Sequence, residues 1–237
     1  MKYGGTNVDL ASFEEQLNQF NVSLSEKQKN QFYEYAQFLV EYNEKVNLTT
    51  ITELDEIYEK HFYDSLLIGS LVQGKQTLCD VGSGAGFPGI PLKIIYPEIQ
   101  LTILEPLQKR VQFLKLLTEK LGIEVEIVNR RAEDAKEYRE SFDVVTARAV
   151  ANLNILAELC IPLVKKEGIF IAMKGSKGIE ELEQAQKATK ELGCEVEEIQ
   201  ENELSNNEKR INIVYRKIRE TAAVFPRKYA AMKKKPL

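Results

Sequence analysis

Asp80-Val81-Gly82-Ser83-Gly84-Ala85-Gly86 is the stretch on which the reading of this 237-residue chain turns. It follows a short apolar segment, 77–81, of strand length, and leads through Phe87-Pro88-Gly89-Ile90-Pro91-Leu92 into a helical one. Three glycines at alternate positions after a strand let the backbone turn sharply and lie against a ligand without Cβ interference. Downstream, apolar runs of strand length recur at 100–104, 124–128, 142–146 and 168–173, with helices expected at 91–96, 108–121, 133–138, 152–164 and 179–192. Such alternation predicts an α/β fold whose parallel sheet is covered on both faces. Two late strands, 194–199 and 211–215, have no clear helix between them and predict one antiparallel strand at the end. Upstream, residues 10–72 read as helices. Leu10, Phe13, Leu17 and Phe20 recur at helical spacing, Ser25 and Gln28 form a capping box, and Thr50 or Thr52 is placed to cap a third helix running to Leu71. The polar break 73–76 divides the chain into an N-terminal helical extension, 1–72, and a larger domain, 73–237.

Composition limits the function classes. Hydrophobic residues make up 43% and charged ones 29%, the balance of an ordinary globular protein. Met1-Lys2-Tyr3-Gly4-Gly5 has no apolar signal core, and no apolar run approaches the roughly 20 residues of a membrane span. Cys79, Cys160 and Cys194 are scattered, which fits reduced core residues in a cytoplasmic protein, and one histidine with no close cysteine pair argues against a zinc site. No metal is expected. Net charge is −4, but residues 209–237 hold ten Lys/Arg against one acid, Glu220. That asymmetry points to a polyanionic partner met at one face, or else to a solvated terminal charge run.

The glycine spacing narrows the ligand. A dinucleotide fingerprint needs its third glycine where Phe87 stands, so that pattern fails. Asp80 followed by Gly82-x-Gly84-x-Gly86 resembles instead motif I of the class I S-adenosylmethionine-dependent methyltransferases. S-adenosylmethionine carries an ammonium, a carboxylate and a sulfonium, and Asp80 would attract its cationic end. Ligands of open α/β sheets sit beyond the carboxyl ends of the strands. Glu105, 23 residues after Gly82 at the end of the second strand, is placed to accept ribose hydroxyls, and Ala132 and Glu133 after the third are placed to frame an adenine edge.

The resemblance extends over nearly the whole chain. The run from Asp80 to Leu92, with Phe142-Asp143-Val144-Val145-Thr146-Ala147-Arg148-Ala149, resembles the bacterial small-subunit ribosomal RNA guanine-N7 methyltransferases, also called glucose-inhibited division protein B. Tyr42-Asn43, Asn47-Leu48-Thr49, His61 with Asp64-Ser65, Lys109-Arg110, Arg131-Ala132-Glu133, Lys174-Gly175 and Phe225-Pro226-Arg227 match as well. The resemblance implies a Rossmann-like, doubly wound seven-stranded sheet with its last strand antiparallel, behind a small helical extension. It implies methylation of N7 of a guanine in the 530 loop of 16S rRNA. Gly82, Phe87, Ala132, Glu133 and Arg148 would bind the cofactor, with Asp80, Gly84, Gly86 and Glu105 as further candidates. A monomer acting on 16S rRNA or the small ribosomal subunit is the expectation.

The chemistry is consistent with what stands at each position. Guanine N7 has a free lone pair and attacks a sulfonium methyl without losing a proton, so no general base is required. Amino-directed enzymes of this fold carry an Asn/Asp-Pro-Pro-aromatic motif where Ala147-Arg148-Ala149-Val150 stands here. Arg148 is the catalytic candidate; the alternative is an arginine paired with an acid such as Asp80 or Glu105. Lys174, Arg227 and Lys228 are candidates for RNA contacts. His61 reads as a packing residue, Phe87 as a cofactor contact or a filler of the helix–sheet junction, and Tyr42, Asn43 and Asn47 as fixing the helical extension. Two other functions fit the same loop: a methyltransferase acting on a small molecule or protein, and a cofactor-binding assembly factor without turnover.

Overall fold

Strands apolar on both sides leave a sheet no solvent face, so it must be covered twice. The computed structural model, which describes residues 7–237, meets that demand with seven strands in the order β3-β2-β1-β4-β5-β7-β6. They are β1 (Thr77–Val81), β2 (Gln100–Leu104), β3 (Glu126–Val128), β4 (Phe142–Arg148), β5 (Val164–Lys174), β6 (Cys194–Glu203) and β7 (Lys209–Lys217). β1 to β5 pair in parallel, and β7 lies antiparallel between β5 and β6. The doubly wound α/β expectation and its antiparallel last strand both hold. Residues 1–6, on which the reading of the N-terminus rested, lie outside the described residues.

Alternate side chains of each strand feed two cores. Leu78, Leu101, Ile103, Val144 and Ile171 pack against the face that carries α2 (Glu26–Asn43), α6 (Gly89–Ile95) and α7 (Gln108–Leu121). Cys79, Val145, Ala147, Phe170 and Ala172 pack against α8 (Leu153–Cys160), α9 (Gly178–Gln184) and α10 (Gln186–Leu192) on the other face. All three cysteines are buried and free.

The helical extension is part of the first core and not an appendage hung on it. α1 (Asn7–Asn18) and α2 bring Phe13, Leu17, Phe32, Tyr35 and Leu39 into the cluster that holds Ile90 and Phe113. The capping box stands as expected: Gln28 N donates to Ser25 Oγ, and Ser25 N donates to Gln28 Oε1 at 2.9 Å. The third expected helix is segmented. α3 (Leu54–Ile57) widens into a π-helical stretch (Tyr58–Tyr63), tightens as α4 (Asp64–Leu66), and is followed by α5 (Gly69–Val72). π-helical turns are rare and cluster at functional sites.

Several boundaries differ from the sequence reading: β4 to β7 run longer than the 142–146, 168–173, 194–199 and 211–215 expected, and α6 covers Gly89–Ile95 where 91–96 was expected. β3 begins at Glu126, not 124. The helix expected over 133–138 is two 3₁₀ turns, Ala132–Asp134 and Lys136–Tyr138. The helix expected over 152–164 ends at Cys160, ahead of Pro162, and Val164 already belongs to β5. The helix over 179–192 breaks at Ala185 (φ −93°, ψ 5°). A terminal helix, α11 (Tyr229–Lys234), is too short to show a period in sequence. Among the described residues, no helix is long and apolar enough to cross a membrane.

Candidate active site

Strand order reverses between β1 and β4, so the crevice of this sheet opens at their carboxyl ends. The loop after β1 is built by hydrogen bonds to two buried acids. Asp80 Oδ2 accepts from Ser83 Oγ (2.6 Å) and from Gly89 N (2.8 Å). Glu105 Oε2 accepts from Gly84 N (3.0 Å), and its Oε1 accepts from Leu107 N (2.9 Å). Asp80 and Glu105 are fully buried. Burial pushes the Asp80 carboxyl up to about 7, against the pull of Ser83, Gly89 and Arg148 in the other direction.

At two glycines, Gly86 and Gly89, there is no room for a side chain. Gly86 has φ +104°, and a Cβ there would lie 2.5 Å from Tyr35 Oη and 2.8 Å from Ile90 Cγ1. Tyr35, from α2, donates its hydroxyl to Ala85 O at 2.5 Å, so the helical extension clamps the loop directly. Gly89 supplies the close approach that the dinucleotide pattern assigns to its third glycine. A Cβ on Gly89 would meet Asp80 Oδ2 at 2.8 Å. The sequence reading missed this role; its signal was the glycine at the start of the next helix.

These residues suit S-adenosylmethionine on three counts. Asp80 Oδ1 is buried and has no partner among the described residues, which leaves one carboxylate oxygen for a cationic group. Each Glu105 oxygen accepts a single backbone N–H and keeps a lone pair for a ribose hydroxyl. Over Gly84 the backbone is open, the nearest atom to an added Cβ being Arg110 Nη1 at 3.9 Å. Over Gly82 the space is shared with Val150, whose Cγ2 would lie 2.8 Å from a Cβ. Val150 follows Ala149, which has φ +56° at the turn leaving β4.

The end of β3 is tied to this cleft by Asn129 Nδ2, which donates to Glu105 O and Pro106 O at 3.0 Å. Ala132 and Glu133 follow on the first 3₁₀ turn, both buried, and burial raises the Glu133 carboxyl above its ordinary value. Asp80, Gly82, Gly84, Gly86 and Glu105 are therefore brought together, with Ala132 and Glu133 on the neighbouring strand end.

Phe87 and Arg148 are turned toward the helical extension. Phe87 is buried, with the Tyr35 ring stacked at 5.3 Å and the His61 ring at 4.4 Å. Its ring fills the junction between the loop and the extension. Arg148 Cζ lies 4.9 Å from the Phe87 ring centre. Arg148 Nη1 donates to Asp64 Oδ2 (2.8 Å) and to Lys60 O (3.1 Å). The acid partner is thus Asp64, neither Asp80 nor Glu105. Arg148 Nη2 approaches His61 Nδ1 at 3.2 Å. A guanidinium only donates, so Nδ1 accepts and the imidazole proton sits on Nε2, facing Thr49 Oγ1 at 2.9 Å. Burial first, and then the Arg148 charge, push His61 down to about 3. This histidine stays neutral at working pH and has no free base to offer.

The RNA candidates separate. Lys174 Nζ pairs with Glu181 Oε2 (2.7 Å) and donates to Ala151 O (2.9 Å). Arg227 grips the buried Glu158 of α8 through Nε (2.8 Å) and Nη2 (2.5 Å). Both are engaged inside the molecule, whereas Lys228 is exposed. Of the other tail cations, Arg210, Arg216 and Lys217 pair with Asp64, Glu197 and Glu140. Lys209, Lys233, Lys234 and Lys235 are exposed. Asn43 fixes the extension as expected, its Oδ1 accepting from Leu48 N and Thr49 N.

Comparison with known proteins identifies the family and the fold. Residues 28–212 match the model of the GidB family, rRNA small subunit methyltransferase G. A ribosomal RNA small subunit methyltransferase G from Lactobacillus helveticus is 48% identical over 233 residues, covering 94% of this chain and 96% of the relative. A protein of the same name from Staphylococcus epidermidis is 49% identical over 229 residues, with the same coverages. Among solved structures, a SAM-dependent O-methyltransferase from Thermotoga maritima aligns with TM-score 0.54 at 17% identity, over 78% of this chain and 72% of that one. TYW2 of M. jannaschii, in complex with AdoMet, aligns with TM-score 0.54 at 12% identity, over 65% and 75%. These two likenesses carry the fold. With a family model spanning the glycine loop and both strand ends, and relatives nearly half identical along almost their full length, this chain belongs to the GidB family of small-subunit rRNA methyltransferases.

Proposed function

We propose that this chain transfers the methyl group of S-adenosylmethionine to N7 of a guanine in the 530 loop of 16S rRNA. The observation that carries the reading is the bare loop between two buried acids at the reversal of strand order, in a chain of this family. The cofactor, when bound, supplies an electrophilic methyl on a sulfonium. Asp80 offers its unpartnered oxygen to the cationic end, Glu105 holds Gly84 in place and accepts ribose hydroxyls, and Ala132 and Glu133 frame the adenine. Residues 73–237 carry this machinery, and 1–72 hold its loop and Arg148 from outside.

Arg148 stands at the end of β4, beside the crevice that would receive the target base in this reading. Guanine N7 attacks through its own lone pair, so catalysis is alignment of N7, methyl carbon and sulfur in line. A neutral His61 that already accepts from Arg148 suits a reaction that moves no proton in its methyl-transfer step. RNA contacts fall to exposed cations: Lys228, Lys233, Lys234 and Lys235, with Lys45 and Lys109, which line a hollow together with Arg110. The chain would work as a monomer in the cytoplasm, on the subunit or its precursor.

The test is incubation with methyl-labelled S-adenosylmethionine and either small subunits or deproteinised 16S RNA from cells lacking the protein. Label on guanine N7 in the 530 loop is the expected result. Label elsewhere in the RNA would move the target; cofactor binding with no transfer to RNA would support an assembly factor, and transfer to a small molecule or protein the other enzyme reading.

A further inference from the structure

Asp64 is a carboxylate buried on a buried helical turn. It sits on α4 with its side chain 4% exposed, and each oxygen meets a different arginine. Oδ2 accepts from Arg148 Nη1 at 2.8 Å, and Oδ1 accepts from Arg210 Nε at 3.1 Å, at the start of β7. Just before it, the π-helical stretch presents two more acceptors to Arg148, Lys60 O and His61 Nδ1. Ser65 Oγ donates to His61 O at 2.5 Å, and Arg210 Nη2 pairs with Glu208 at 3.0 Å. Arg148 thus has its direction set by three acceptors from one helical turn, and only Asp64 among them is charged.

We infer that Asp64 is a positioning residue: it fixes the Arg148 guanidinium at the end of β4 and acts on methyl transfer through that arginine. The inference rests on the reading that Arg148 serves the reaction. A flexible arginine samples many rotamers, and one charge-assisted hydrogen bond in a buried site selects among them. Misplacement of a group by about 1 Å costs on the order of 100-fold in rate.

The lone histidine of the chain makes this measurable without turnover. In the full-length protein, nitrogen NMR of His61 is expected to show a neutral ring protonated on Nε2, with Nδ1 hydrogen-bonded. In Asp64→Asn, release of Arg148 should weaken or remove the Nδ1 bond and shift the Nδ1 resonance. Single-turnover methyl transfer at saturating S-adenosylmethionine and 16S RNA should slow about 10- to 100-fold, with the concentrations for half-saturation changed less than threefold. The same substitution made in Arg148→Ala should slow that variant no further. If Asp64→Asn does not fold, Asp64→Glu retains the charge while moving it, and is expected to slow transfer at least about tenfold. An unchanged His61 spectrum, or an equal slowing in the presence and absence of Arg148, overturns the inference. Full activity of Arg148→Ala, with the His61 spectrum still dependent on Asp64, refutes instead the role given to Arg148.

Discussion

The ends of β1 and β4 face the same crevice but are built in opposite ways. At β1, Asp80 and Glu105 bond to backbone N–H groups and a hydroxyl within 21 residues of themselves. At β4, Arg148 bonds to groups 84 to 88 residues away, all on the helical extension. The first end is preorganised by its own chain segment. The second is finished only when another layer docks on it. A cofactor cradle can be local because glycines and a turn create it; an arginine beside it needs partners at a distance, since its neighbours in a strand point to the wrong faces.

The strongest way to break the comparison is at the local end. Gly82→Asp should abolish cofactor binding, weakening S-adenosylhomocysteine by more than about 100-fold in calorimetry, because the new side chain must displace Val150 and occupy the cradle at φ +69°. Unchanged affinity would remove the loop from the site. Next, Gly86→Ala should cost about 3 kcal/mol or more in urea unfolding, combining strain at positive φ with the collision against Tyr35. Gly84→Ala, with open space above it, should cost about 1 kcal/mol. Equal costs would mean that α2 does not clamp the loop.

Asp80 sharpens the contrast through pH. Its folded value is raised from 3.8 to about 7, so the folded chain binds a proton that the unfolded chain has released. Stability should therefore fall as pH rises from about 4 to about 7 and level off above, by roughly 2–4 kcal/mol, and Asp80→Asn should lose that dependence. A cationic cofactor favours the ionised form. Near pH 6.5, binding should then release protons, seen as a buffer-dependent heat in calorimetry that Asp80→Asn abolishes.

The smallest effect is expected in the tail. Replacing Lys233, Lys234 and Lys235 together by Ala should flatten the salt dependence of RNA binding by up to about two units in the log–log slope. Arg227→Ala should alter the slope less and the melting temperature more, because its guanidinium is spent on Glu158. A reversed pattern would return Arg227 to the RNA surface.

Much of the fold was legible because its determinants are local. The alternation from Thr77 onward and the Ser25 capping box each depend on residues a few positions apart, and β1, β2 and α7 stand where the periodicity placed them. The glycine loop was legible for the same reason. The Glu158 pair of Arg227, 69 residues apart, and the Glu181 pair of Lys174 were not, since nothing in a sequence says which of 36 acids meets which of 32 bases. Phe87 carried two readings until Tyr35 and His61 were seen stacked on it.

The chain alone determined a doubly wound sheet, a side-chain-free turn after β1 and the acids that serve it, because steric freedom and hydrophobic period are properties of neighbouring residues. Only the tertiary structure decided that the helical extension packs beside the crevice, that Asp64 pairs with Arg148, and that four of the ten tail cations are paired with acids of the same chain. Those outcomes depend on which charges are buried together, and a buried charge must be paired by whatever the fold brings to it.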